Sequence, residues 1–172
     1  MLCPHSFATN QMNCLSPNLE GATPSHLSSN APKRRAAEMD SEITTKRRIL
    51  ILEDDDAFRS FLKRLLVQEG FEVVSVLNGV DGVHEVLAHD FDAILCDILM
   101  PTLAGDMFYR AVERMRPRLC QRFIFMTGQY EQAKVKEFLA NTGGSILLKP
   151  FQIEDLREML AFVERRNLHL AK

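Results

Sequence analysis

Four consecutive carboxylates, Glu53, Asp54, Asp55 and Asp56, follow the apolar run Ile49–Leu52 in RILILEDDDAF. A fifth, Asp97, closes another apolar run in AILCDILMP. Two further runs end in Thr127 (FIFMTGQ) and Lys149 (ILLKPF). A carboxylate can act as a nucleophile or a hard metal ligand, a hydroxyl can hydrogen-bond a phosphoryl oxygen, and an ammonium can neutralise one. Gathered in one crevice, such a set suits phosphoryl transfer to the carboxylate. Singly, each residue has a plainer use. Asp55 or Asp56 stands where it can cap a helix beginning near Ala57. Thr127 before Gly128 suits a turn, and a lysine is ordinarily solvated. Capping explains Glu53 and Asp54 less well, and Asp97 hardly at all, because Pro101 follows and the next helix starts later.

Whether these residues meet depends on the elements that carry them. From Arg47 onward, short apolar runs alternate with amphipathic stretches. Strands are predicted at Ile49–Leu52, Glu72–Val76, Ala93–Cys96, Phe123–Met126 and Ile146–Leu148. Phe58, Phe61, Leu62, Leu65 and Leu66 follow i, i+3, i+4, i+7, i+8, and Gly70 sits where a C-cap would. Further helices are predicted near Val80–Ala88, Asp106–Met115, Glu131–Leu139 and Ile153–Arg165. Five βα units in order predict an α/β fold, a parallel sheet with helices on both faces. The first and third strands are continuously apolar, as strands buried on both faces should be.

In a doubly wound sheet of order 2-1-3-4-5, ligands bind beyond the carboxyl ends of strands 1 and 3, where the order reverses. Adjacent strands lie about 4.8 Å apart, so Glu53, Asp54 and Asp97 would share that crevice. At ~5 Å and an effective dielectric near 20, each pair of carboxylates repels by roughly 3 kcal/mol. A fold that gathers three of them needs a cation, and a small set of hard oxygen donors suggests Mg2+. Thr127 and Lys149 point at the same crevice from the ends of the fourth and fifth strands.

The bulk properties narrow the class. The chain has 172 residues, 46% of them hydrophobic, enough for one ordinary domain with residues to spare. A net charge of −2 gives no electrostatic argument for nucleic acid or an anionic membrane. No apolar run approaches the roughly 18 residues of a membrane span. MLCPHSFATNQMNCLS lacks the basic and apolar regions of a secretory signal. Cys3, Cys14, Cys96 and Cys120 form no CxxC or metal-ligand spacing and read as reduced thiols of a cytoplasmic protein. Residues 1–46, rich in Ser, Asn, Pro, Thr and Ala and without periodicity, read as a disordered tail. Its PKRR at Pro32–Arg35 reads as solvated linker, and Met39 offers a second place for translation to start. No internal repeat is visible.

Taken together, ILILEDD, CDILMP, MTG and LLKPF resemble the motifs of the receiver domain of two-component response regulators. Asp54 to Asp97, Asp97 to Thr127 and Thr127 to Lys149 are 43, 30 and 22 residues apart, which matches that family's spacing. The resemblance covers residues 47–168, between the tail at 1–46 and a C-terminal end at 169–172, and implies a flavodoxin-like sheet with five helices. It implies that Asp97 accepts a phosphoryl group from a phosphohistidine on a sensor histidine kinase or histidine phosphotransfer protein. Asp54, Asp97 and the Leu99 carbonyl would ligate Mg2+, with Glu53 acting through water. Thr127 would move to hydrogen-bond the phosphoryl group, Lys149 would pair with Asp97 and then with the phosphate, and Gly128 would leave room at the site. The Lys149–Pro150 bond would be cis. One position departs: three residues before Lys149 the family often has Tyr or Phe, and here it is Ile146. The run NTGGSILLKPF resembles receivers attached to, or derived from, hybrid histidine kinases.

Two rival readings are weaker. DFDAI at Asp90–Ile94 is similar to the motif of Asp-nucleophile phosphatases of the haloacid dehalogenase type, but it precedes its strand where theirs follows. A degenerate receiver that only binds proteins would lack a site residue, and none is missing. His84 and His89 have no phosphotransfer context and read as surface residues. The chain ends at Lys172, soon after the fifth helix, so the expectation is a single-domain receiver without a DNA-binding domain, acting through protein contacts. It would be either a diffusible switch or a relay intermediate.

Overall fold

In the computed structural model, which describes residues 46–170, each apolar run forms a strand. The strands are β1 (Arg48–Leu52), β2 (Glu72–Val76), β3 (Ala93–Asp97), β4 (Phe123–Thr127) and β5 (Ser145–Leu148). They alternate with α1 (Asp56–Gln68), α2 (Gly79–Ala88), α3 (Gly105–Met115), α4 (Ala133–Ala140) and α5 (Ile153–Leu170). The tail read over residues 1–46 lies, apart from Lys46, outside the described residues. The sheet is wholly parallel with order β2-β1-β3-β4-β5. The expected α/β fold and strand order are therefore present.

Alternation along the strands builds two cores. Leu50, Leu52, Ile94, Cys96, Phe123 and Phe125 face Val86 of α2, Phe108 and Val112 of α3, and Phe138 of α4. Ile49, Ile51, Leu95, Ile124 and Met126 face Leu62 and Leu66 of α1, and Leu156, Leu160 and Val163 of α5. Fully burying such a side chain contributes about 1.5–3 kcal/mol, so both layers hold the sheet firmly. The pairing Leu52↔Cys96, Asp97↔Met126 and Thr127↔Leu148 brings the polar ends of the strands to one edge. Slipping β3 inward by one residue would draw Asp97 into the apolar layer, where an unpaired charge is strongly disfavoured.

The helix boundaries follow local chemistry. The Asp55 carboxylate accepts from the amides of Ala57 and Phe58 (2.9 and 3.0 Å), so Asp55 caps α1, while Asp56 sits in its first turn and pairs with Arg59. Gly70 follows α1 at φ +91°, the left-handed conformation that glycine adopts freely. Beyond one-residue shifts at the ends of elements, the structure differs from the sequence reading in three places. A six-residue 3-10 helix at Pro117–Arg122 packs Leu119 and Cys120 into the core. The fourth helix starts at Ala133 rather than Glu131, with no side-chain cap to hold an earlier turn. The fifth runs on to Leu170, past its expected end at Arg165 and into the stretch expected to follow the domain.

Candidate functional site

Four of the five strands, all but β2, deliver polar residues to the same edge. Glu53 and Asp54 follow β1, Asp97 is the last residue of β3, Thr127 the last of β4, and Lys149 directly follows β5. The Lys149–Pro150 peptide is cis. The backbone is pinned around them. The Glu53 amide donates to the Val76 carbonyl at 3.3 Å and the Lys149 amide to the Thr127 carbonyl at 2.8 Å. The Arg59 guanidinium donates to the Glu53 carbonyl at 2.7 Å. In the loop after β3, Thr102 and Leu103 adopt φ of 54° and 60°, and the chain returns so closely that a Cβ on Gly105 would lie 2.2 Å from the Asp97 carbonyl oxygen. Only glycine fits there.

The Lys149 ammonium bridges two carboxylates, 2.7 Å from Glu53 Oε2 and 2.6 Å from Asp97 Oδ2. Carboxylate oxygens of Glu53, Asp54 and Asp97 all lie within 4.8 Å of one another. Glu53 is 2% exposed and Thr127 1%, whereas Asp54 is open to solvent. The second Asp97 oxygen accepts the Leu99 amide at 3.0 Å, and the Thr127 hydroxyl accepts the Gln129 amide at 3.1 Å. The contact seen for Leu99 is thus made by its N–H, which fixes the Asp97 rotamer. A Cβ on Gly128 would meet Lys149 no closer than 3.8 Å, so that corner is uncrowded.

Burial pushes the Glu53 carboxyl above its ordinary range; Lys149 pulls it back, and Asp97 and Asp54 add to the rise. Burial acts against the Lys149 charge, but the hydrogen bonds to Asp97 and Glu53 outweigh it and hold the ammonium above its usual value. Burial also drives the Cys96 thiol up, which makes it a core residue rather than a nucleophile. Three carboxylates against one ammonium leave a crowded negative site. Its donors are all hard oxygens, a set that fits Mg2+ and not a soft-ligand metal.

Glu53, Asp54, Asp97 and Lys149, singled out in the sequence, are brought together. Thr127 stands one residue beyond Met126, the register partner of Asp97. Ile146 pairs with Phe125 and is half-buried against the core under α2, α3 and α4. The DFD stretch lies at the opposite edge of the sheet: Asp92 accepts the Arg48 amide at 2.8 Å and Asp90 pairs with Arg116. His84 and His89 are exposed. Two contributors escaped the sequence reading. Arg59 clamps the Glu53 carbonyl, and Phe58 lays its ring 4.9 Å from the Lys149 ammonium. Their place in the first turn of α1, just after the carboxylates, was the available signal.

A family model described as the response regulator receiver domain matches residues 49–161. The response regulator receiver protein CpdR of Brucella abortus is 32% identical over 110 residues, covering 64% of this chain and 90% of CpdR. The sensor kinase CckA of the same organism is 29% identical over 136 residues, covering 76% of this chain but only 14% of CckA. The crystal structure of the receiver domain of sensor histidine kinase PA1611 from Pseudomonas aeruginosa superposes with a TM-score of 0.64 at 24% identity, covering 70% of this chain and 98% of that one. That structure has a magnesium ion coordinated in its active site cleft.

Proposed function

The chain belongs to the response regulator receiver domain family, and on that premise we propose that Asp97 is its phosphoryl acceptor. The donor is a phosphohistidine on a sensor histidine kinase or a histidine phosphotransfer protein. One Asp97 oxygen bonds to phosphorus as the P–N bond breaks, and the imidazole leaves with the electron pair and takes up a proton. Asp54, Asp97 and the Leu99 carbonyl would hold Mg2+, with Glu53 acting through water, and the bound ion supplies positive charge to the phosphoryl oxygens. The observation that carries the reading is the Lys149 ammonium between Glu53 and Asp97, with Asp54 within 4.8 Å. Lys149 moves from the carboxylate to the transferred group, and the Thr127 hydroxyl exchanges the Gln129 amide for a phosphoryl oxygen.

This is a signalling phosphoacceptor rather than an enzyme with a diffusible product. It labels itself from the donor and loses the group by hydrolysis. It works in the cytoplasm, with the kinases that charge it, and signals through protein contacts. CpdR, matched over 90% of its length, supports the reading that a receiver can act without a further domain. A relay or phosphate-sink role is the second reading, favoured by Ile146, which lacks the ring that usually reports the Thr movement.

Transfer of label from a phosphorylated histidine kinase in Mg2+ tests the acceptor role: Asp97→Asn should receive none. Hydrogen exchange with and without beryllofluoride separates the two outputs. Altered protection across residues 127–139 supports a switch, and change confined to the surroundings of Asp97 supports a relay or sink.

A further inference from the structure

Lys149 has a third neighbour to which the transfer chemistry gives no role. Its ammonium nitrogen lies 4.9 Å from the centre of the Phe58 ring, while its hydrogen bonds run to Glu53 and Asp97. Phe58 enters from the first turn of α1, and its own ring is held by two others. Phe151 meets it edge-on at 5.8 Å and 60°, and Phe61 stacks at 6.4 Å and 21°. Phe58 and Lys149, with Glu53, Asp55, Pro150 and Phe151, line a cavity of about 460 Å³ at the mouth of the site. The ring is thus half core and half site wall.

An aromatic face attracts a cation without demanding a directed hydrogen bond. It therefore goes on attracting the ammonium while the Lys149 protons turn from the Asp97 carboxylate to a phosphoryl group arriving on it, when one directed hydrogen bond is being exchanged for another. An aliphatic side chain of similar bulk fills the space but offers no attraction from that side. The geometry points to Phe58 as a positioning residue: its ring keeps Lys149 against Asp97 before transfer and lets it follow the phosphoryl oxygens afterwards. The inference rests on the reading of Asp97 as acceptor. The plainer role for Phe58 is packing, since it also lies against the core shared by α1 and α5.

Phenylalanines carrying one, two and three ring fluorines at position 58 separate the two roles, because fluorine weakens the negative face and changes the size little. The rate constant for labelling of Asp97 by acetyl phosphate in Mg2+ should fall stepwise with fluorine count, by about 3- to 10-fold across the series, and the small loss of thermal stability that accompanies it should vanish in Lys149→Met. Phe58→Leu should be at least as slow as the most fluorinated ring. In Lys149→Met, for which slower labelling is expected, the same series should be flat. A flat series with Lys149 present, or a series as steep in Lys149→Met as in the parent, assigns Phe58 to packing alone. Absence of Asp97 labelling in the unsubstituted chain overturns the acceptor reading itself, so the two failures are distinct.

Discussion

Removing one charge from the crevice should stabilise the fold and impair its chemistry, and Asp54→Asn is the cleanest such change. Asp54 has oxygens within 4.8 Å of both Glu53 and Asp97, yet the Lys149 hydrogen bonds go to the other two. Its charge therefore meets two repulsions without a matching direct ion pair. At ~5 Å and an effective dielectric of 20, each repulsion is roughly 3 kcal/mol. Asp54 is exposed, and solvent and salt reduce their sum to about 1–2 kcal/mol. Without Mg2+, Asp54→Asn should therefore melt about 3–10 °C above the parent. Mg2+ at ten times its dissociation constant should stabilise the parent by about 1.4 kcal/mol, and the variant by much less. Thermal and urea unfolding in chelator, in Mg2+ and in high salt measure each quantity, and high salt should shrink the metal-free difference. A variant less stable than the parent in chelator, or stabilised by Mg2+ to the same degree, would refute the account of a charge-crowded metal site.

Three further outcomes follow from the same geometry. The Glu53 carboxyl is raised by burial, so as pH climbs from about 4.5 the unfolded chain loses that proton before the folded one does. Metal-free stability should then fall, relative to Glu53→Gln, from pH 4.5 up through the raised value, and a parallel pH dependence of the two would contradict this. Gly105→Ala should cost about 2–3 kcal/mol in urea unfolding, because its Cβ would meet the Asp97 carbonyl oxygen. An alanine as stable as the parent would mean that α3 can withdraw from β3. A chain starting at Met39 should fold and be labelled as the full chain is; failure of either would make the preceding segment structural.

The sheet was readable because its central strands, β1, β3 and β4, are apolar on both faces and stop where the chemistry begins. Ile49–Leu52 and Ala93–Cys96 each end one residue short of a carboxylate, and the parallel register turns four such ends into one site. Elements without a periodic apolar face were not readable. The 3-10 helix at Pro117–Arg122 is too short for any period and buries only Leu119 and Cys120. The fifth helix continues beyond Val163, its last fully buried residue among those whose burial is described, so the pattern ends before the helix does. At the site, residue type marked Glu53, Asp54, Asp97, Thr127 and Lys149. Arg59 and Phe58 act through a backbone carbonyl and a ring face, and their letters signal only an exposed helix charge and a core position. That the Leu99 amide orients Asp97 is likewise a main-chain fact, invisible in the side-chain pattern.

The central claim is that one carboxylate, Asp97, takes the phosphoryl group and its neighbours do not. Treating the full chain with acetyl phosphate and Mg2+, followed by intact-mass measurement and peptide mapping, addresses it directly. The account predicts one phosphoryl group per chain, located on the peptide that contains Asp97, lost on chelation of Mg2+ before treatment and absent in Asp97→Asn. Undiminished labelling in Asp97→Asn, or a phosphoryl group mapped to Asp54, Asp55 or Asp56, would contradict it.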